Sequence, residues 1–268
     1  MAHFIEHVIF KGTQKRKTWH VLSRLDDVGG ELNAYTSKEE TAIYASFLIQ
    51  DAERSLELLH DITFHSVFPE KEMKKEKEVI IDEINSYKDN PAELILDDFE
   101  ELVFNDGPMG HNILGTAETV RNFTRDDILK FIQNNYHTDQ MVLCMVGDMD
   151  PRRFLKKATK YFGQEPANYR QTKRPPISDY HPSTVRKELD TFQSHITVGN
   201  LAYDFNDPRR LGLSLLNNLL GGPGMNSRLN MALREKSGIA NNIESIYTPY
   251  FGTGVFSIYY GTDEQNIN

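Results

Sequence analysis

One order of elements is written twice in this chain, and that repetition constrains its fold more than any other feature. The stretches "HFIEHVIFKGT…VLSRLDDVGGELNAYTSKEETAIYASFLI" and "LSLLNNLLGG…RLNMALREKSGIANNIESIYTPYFGTGVFSIYY" both read helix, glycine turn, helix, glycine stop, strand, strand. The spacing agrees as well: Gly12 to Gly29 is 17 residues, and so is Gly221 to Gly238. Self-similarity of this kind points to a duplicated α+β unit. Laying Gly12 on Gly221 sets Gly212 opposite His3 and Leu216 opposite His7, so the second copy keeps the helix and lacks the polar cluster of the first.

At 268 residues the chain exceeds one ordinary domain, which agrees with two copies. Runs of strands and helices, rather than strict βαβ alternation, predict an α+β fold of two homologous domains, each an antiparallel sheet with helices packed on one face. The stretch "GQEPANYRQTKRPPISDYHPSTVRKEL" holds four of the 11 prolines and little apolar periodicity, which marks a linker. The expected organisation is therefore a first domain over 1–168, a linker over 169–185 and a second domain over 186–268. Within the first domain, "KTWHVLSRLDDVGG" places Trp19, Leu22, Leu25 and Val28 at three-residue steps, and "QMVLCMVGDMD" reads as a buried strand.

Charge narrows the function. A formal net charge of −9 leaves no basic stripe to neutralise phosphates, which argues against nucleic acid. No apolar run approaches the length of a membrane span. Cys144 is the single cysteine, so disulfides within the chain are excluded, and its apolar surroundings predict a buried structural thiol.

The chemistry concentrates at the front, in "MAHFIEHVIFKGT". His3 and His7 are four residues apart, one turn along the same face of a helix, so two imidazoles can converge on one cation. Glu6 lies beside them, placed to take a proton from a bound water. Catalytic zinc takes three protein ligands plus that water. The best donor of the third is the helix in "KEKEVIIDEINSY", where Glu83 can complete a His₂Glu set and Glu76, two turns earlier, can hydrogen-bond a ligand. A Lys/Glu-rich helix also commonly just faces water, which is the plain alternative for Glu76.

"HFIEH", followed by Glu83 with 75 residues between it and His7, resembles the inverzincin M16 metallopeptidases, the family of pitrilysin and mitochondrial processing peptidase. The likeness continues through "GGELNAYTSKEETAIYA", "GHNILGT", "VGDMD", "NLLGGPGMNSRLNMALREKSG" and "FSIYYGT". What the resemblance implies is a zinc endopeptidase acting on extended oligopeptides or presequences. It implies Zn2+ held by His3, His7 and Glu83, with Glu6 as general base and Glu76 supporting the site. Asn33 and Ala34 would lie on an edge strand to which a peptide adds, and Arg234 would reach toward that peptide from the second domain. Outside the resemblance, Asn33 is equally a turn residue after Gly29-Gly30, and Arg234 equally a helix-end charge.

The resemblance also implies a homo- or heterodimer with another M16 subunit, and with it a rival reading as a partner-dependent subunit. It departs at position 241, where many relatives carry a tyrosine seven residues after the arginine and this chain has Asn241. It begins after the family's first strands and stops before the end of the second domain, so both domains are expected to be truncated. The compartment stays open between a bacterial cytoplasm or periplasm and a mitochondrial matrix.

Overall fold

The structure, a computed structural model, describes residues 1–105, 107–174 and 180–267. Residues 175–179 of the expected linker lie outside the described residues. In chain order the elements are α1 (Ala2–Val8), α2 (Thr18–Asp26), β1 (Glu31–Thr36), β2 (Thr41–Ser46), α3 (Ala52–His65), α4 (Glu70–Lys88), α5 (Pro91–Phe104), α6 (Ala117–Asn122), α7 (Arg125–Asn135), α8 (Pro151–Phe162), β3 (Ser194–Ala202), α9 (Arg210–Gly221), a π-helical segment (Asn230–Lys236), β4 (Ala240–Tyr250) and β5 (Thr253–Thr262). They form two compact units, residues 1–84 with 113–173, and residues 85–112 with 174–268. The architecture is α+β, and the order α1, α2, β1, β2 returns as α9, π-helical segment, β4, β5.

In the first unit α1 is gripped on two sides. Phe4, Ile5 and Val8 share a buried cluster with Met73, Ile80, Ile81 and Ile84 of α4 and Ile128 of α7. Ile9 joins Val21 and Leu25 of α2 and Leu58 and Ile62 of α3 in a second cluster, against which Leu32, Ile43 and Ala45 of the hairpin pack. Each such side chain contributes roughly 1.5–3 kcal/mol on burial, so the rotation of α1 about its axis is set by its apolar face. Glu6, His3 and His7 then fall together on the adjoining face.

The hairpin β1–β2 is antiparallel, with Asn33 opposite Tyr44 and Ala34 opposite Ile43. Its turn is closed by Ser37, whose N–H donates to the Glu40 carbonyl at 2.8 Å and whose Oγ accepts from the Glu39 and Glu40 N–H groups. Helix α2 stops as expected at Gly29, where a φ of +71° suits glycine and few other residues. Its inward face differs from the three-residue series. Val21 and Leu25 are buried, whereas Trp19 is 73 % exposed. A three-residue step precesses by about 60° per repeat around a 3.6-residue helix, so the i, i+4 pair holds the core face.

Two expectations fail at the same place. "QMVLCMVGDMD" forms no strand; Val142 is 86 % and Val146 100 % exposed, and Cys144 is exposed rather than a buried thiol. An apolar extended run is buried only when neighbouring strands satisfy its backbone and cover its faces. Among the described residues β1 and β2 pair only with each other, and no strand lies opposite this segment.

In the second unit the sheet order is β3-β5-β4, antiparallel throughout, with a register shift between Asn241 and Glu244. Helix α9 lies against β4 at its C-terminal end. A Cβ at Gly221 would meet the Ser245 nitrogen at 2.6 Å, so only glycine permits that approach. Val103 and Phe104 of α5 pack with Tyr250 and Val255 in a third buried cluster.

Candidate metal centre

Helix α4 carries the acidic half of the site. Glu83 follows Glu76 by a seven-residue step, which brings them to within about 20° of each other around the helix. Ile80, Ile81 and Ile84, buried against α1, fix that face toward the two histidines.

The structure brings the donors together. His3 Nε2 lies 3.7 Å and His7 Nε2 3.4 Å from Glu83 Oε2, and one ligand atom from each of the three residues lies within 4.8 Å of the other two. Tetrahedral zinc with bonds of about 2.0–2.1 Å sets its donors roughly 3.4 Å apart, so this spacing suits such an ion. The imidazole rings meet edge to face with centroids 4.7 Å apart. Burial holds the His3 imidazole below its ordinary pKa, against an opposing pull from Glu83, and a neutral imidazole is the form that ligates a metal. Among the described residues His3, His7 and Glu83 form the only cluster of three or more such side chains with this convergence.

The remaining candidates fall into distinct places. Glu6 Oε2 is buried and has no hydrogen-bond partner among the described residues, an uncompensated carboxylate oxygen beside the two imidazoles. Glu76 is not a solvated surface acid: its Oε2 lies 3.4 Å from His7 Nδ1 and its Oε1 2.8 Å from Lys11 Nζ. Lys11 was not singled out by the motif, although it continues the i, i+4 series of His3 and His7. Asn33 and Ala34 sit on β1, where the Asn33 side chain accepts the Ala34 N–H at 2.9 Å. Arg234 lies in the second unit on the π-helical segment, its side chain half exposed and 4.0 Å from Glu235. Asn241 lies on β4 opposite Gly261.

This fold and this donor set define a class. Residues 1–117 match the family model described as Insulinase (Peptidase family M16), and residues 122–268 match that of the Peptidase M16 inactive domain. The chain belongs to peptidase family M16.

Particular relatives follow. The chain is 34 % identical over 269 residues to the uncharacterized zinc protease YmxG of Bacillus subtilis, a match covering 100 % of this chain and 64 % of that protein. It is 31 % identical over 282 residues to the mitochondrial-processing peptidase subunit beta of Saccharomyces cerevisiae, covering 100 % and 61 %. The crystal structure of a protease from Helicobacter pylori superposes with a TM-score of 0.88 at 23 % identity, over 98 % of this chain and 65 % of that one. The chain thus spans less than two thirds of the length of these relatives.

Proposed function

We propose that this chain is the metal-bearing part of a zinc endopeptidase that hydrolyses extended peptides. The observation that carries the reading is the convergence of His3, His7 and Glu83 from two helices on one point. His3 and His7 through Nε2, and Glu83 through Oε2, would hold Zn2+. When bound, the ion supplies a Lewis acid that makes water easier to deprotonate at neutral pH and polarises a carbonyl. Glu6 is the general base. Its unpartnered Oε2 accepts the proton of the water whose oxygen attacks the peptide carbonyl carbon. As the C–N bond breaks, Glu6 returns that proton to the leaving amine. Glu76 accepts the His7 Nδ1 proton, which leaves Nε2 free to ligate.

Substrate specificity follows from β1. An extended peptide adding beside Asn33 and Ala34 would bind through main-chain hydrogen bonds, which place little demand on sequence. Arg234, on the π-helical segment, would serve peptide binding in this reading. The test is elemental analysis combined with cleavage of an internally quenched peptide, with and without chelator. Stoichiometric zinc with chelator-sensitive cleavage supports the proposal, and cleavage unaffected by zinc removal rejects it.

A second reading, a subunit that needs a partner for turnover, is favoured by Asn241 in place of the family's tyrosine and by the likeness to a protein named as a beta subunit. Cleavage that appears only on addition of a second M16 chain would select it.

A further inference from the structure

We propose that Lys11 is a positioning residue for the metal centre, acting through Glu76 on His7. The proposal rests on the reading of His3, His7 and Glu83 as a zinc site. Glu76 is shared: one carboxylate oxygen meets Lys11 Nζ at 2.8 Å and the other meets His7 Nδ1 at 3.4 Å. The Glu76 side chain is only 12 % exposed. A carboxylate so placed needs a cation to offset its desolvation, and Lys11 is the cation against it.

The lysine stands on a fixed base. Its N–H donates to the Val8 carbonyl at 3.1 Å, and its own carbonyl accepts the Thr18 hydroxyl at 2.8 Å, so the turn after α1 is tied to the start of α2. With Lys11 holding Oε1, the carboxylate plane of Glu76 is fixed and Oε2 stays aimed at the His7 ring. Without Lys11, Glu76 loses one of its two anchors and can turn away. The His7 imidazole then loses the acceptor that sets its tautomer and its angle to the metal. The geometry therefore makes Lys11 a determinant of metal affinity rather than a substrate contact.

The experiment measures zinc affinity by competition with a chromophoric chelator on the full chain, with the visible spectrum of the Co2+-substituted protein as a second readout. Lys11→Met is expected to weaken zinc binding by about tenfold to a hundredfold and to alter the Co2+ ligand-field bands. Lys11→Arg is expected to restore most of both. In a Glu76→Gln background, Lys11→Met should add little further loss. If circular dichroism shows Lys11→Met to be unfolded, Lys11→Gln takes its place with the same expectations. Wild-type zinc affinity and an unchanged Co2+ spectrum in a folded Lys11 variant overturn the proposal. His7→Ala separates the two levels of the argument. If His7→Ala binds zinc as the wild type does, the zinc-site reading itself fails. If His7→Ala loses zinc while the Lys11 variants match wild type, only the role of Lys11 fails.

Discussion

His7 Nε2 lies 3.4 Å from Glu83 Oε2, although 75 residues separate the two in the chain. The buried cluster that Phe4, Ile5 and Val8 of α1 share with Met73, Ile80, Ile81 and Ile84 of α4 holds that distance, and the proposed chemistry depends on it.

Glu6→Gln removes the proposed general base while leaving the three donors intact. Zinc content is expected to match wild type, and peptide hydrolysis is expected to fall by about 10²–10⁴-fold. Elemental analysis and a quenched-peptide assay on the same preparation check both halves. Unaltered turnover in a folded, zinc-loaded Glu6→Gln protein would remove Glu6 from the mechanism.

Loss of a ligand acts on stability as well as on activity. An ion that binds only the folded chain stabilises it by about 2.7 kcal/mol at roughly 100 times its Kd. Wild-type protein is therefore expected to melt at a higher temperature when zinc is added, and Glu83→Gln and His3→Ala are expected to show little response. A thermal melt with and without zinc reads this directly, and an equal shift in Glu83→Gln would place the ion elsewhere.

Ile80 links packing to the site, because it is fully buried between α4 and α1 on the face that presents Glu76 and Glu83. Ile80→Ala is expected to cost about 2–5 kcal/mol and to weaken zinc binding through the packing of α4. Urea unfolding combined with zinc titration would show both effects, and a destabilised variant with unchanged affinity would separate packing from metal geometry.

The α3–α8 contact predicts an acid-dependent component of stability. Hydrogen bonds from Lys157, Lys160 and Tyr161 hold the Glu53 carboxyl at a pKa of about 2, below its ordinary 4.5. Because the folded value is the lower one, this contribution is complete above pH 4.5 and fades as the pH falls toward about 2. The Glu53 side chain is 41 % exposed, so the effect is small and screened by salt. Glu53→Gln should flatten the stability profile across that window in low-salt urea titrations, and an unchanged profile would show that the clamp does not persist in solution.

Cys144 lies on the unpaired apolar segment and is exposed. It is expected to react with a thiol reagent in the native protein as fast as in the denatured one. Protection of Cys144 in the native full chain would mean that the segment is covered.

The sequence alone determined whatever depends on neighbours within a turn or two. The i, i+4 spacing of His3 and His7, the glycine stop at Gly29, the hairpin of "ELNAYTSKEETAIYAS" and the repeated element order are local, because backbone geometry fixes them without reference to the rest of the chain. The seven-residue step from Glu76 to Glu83 placed both acids on one face of α4, but nothing local says what that face meets. Only the tertiary structure decided that α4 packs on α1, that Glu76 is shared between His7 and Lys11, and that Val21 rather than Trp19 turns inward on α2. It also decided that "MVLCMV" stays unpaired, because a strand exists only where another backbone supplies its hydrogen bonds. Short-range spacing is a property of the covalent chain, whereas burial and the meeting of distant charges depend on which surfaces exclude water together.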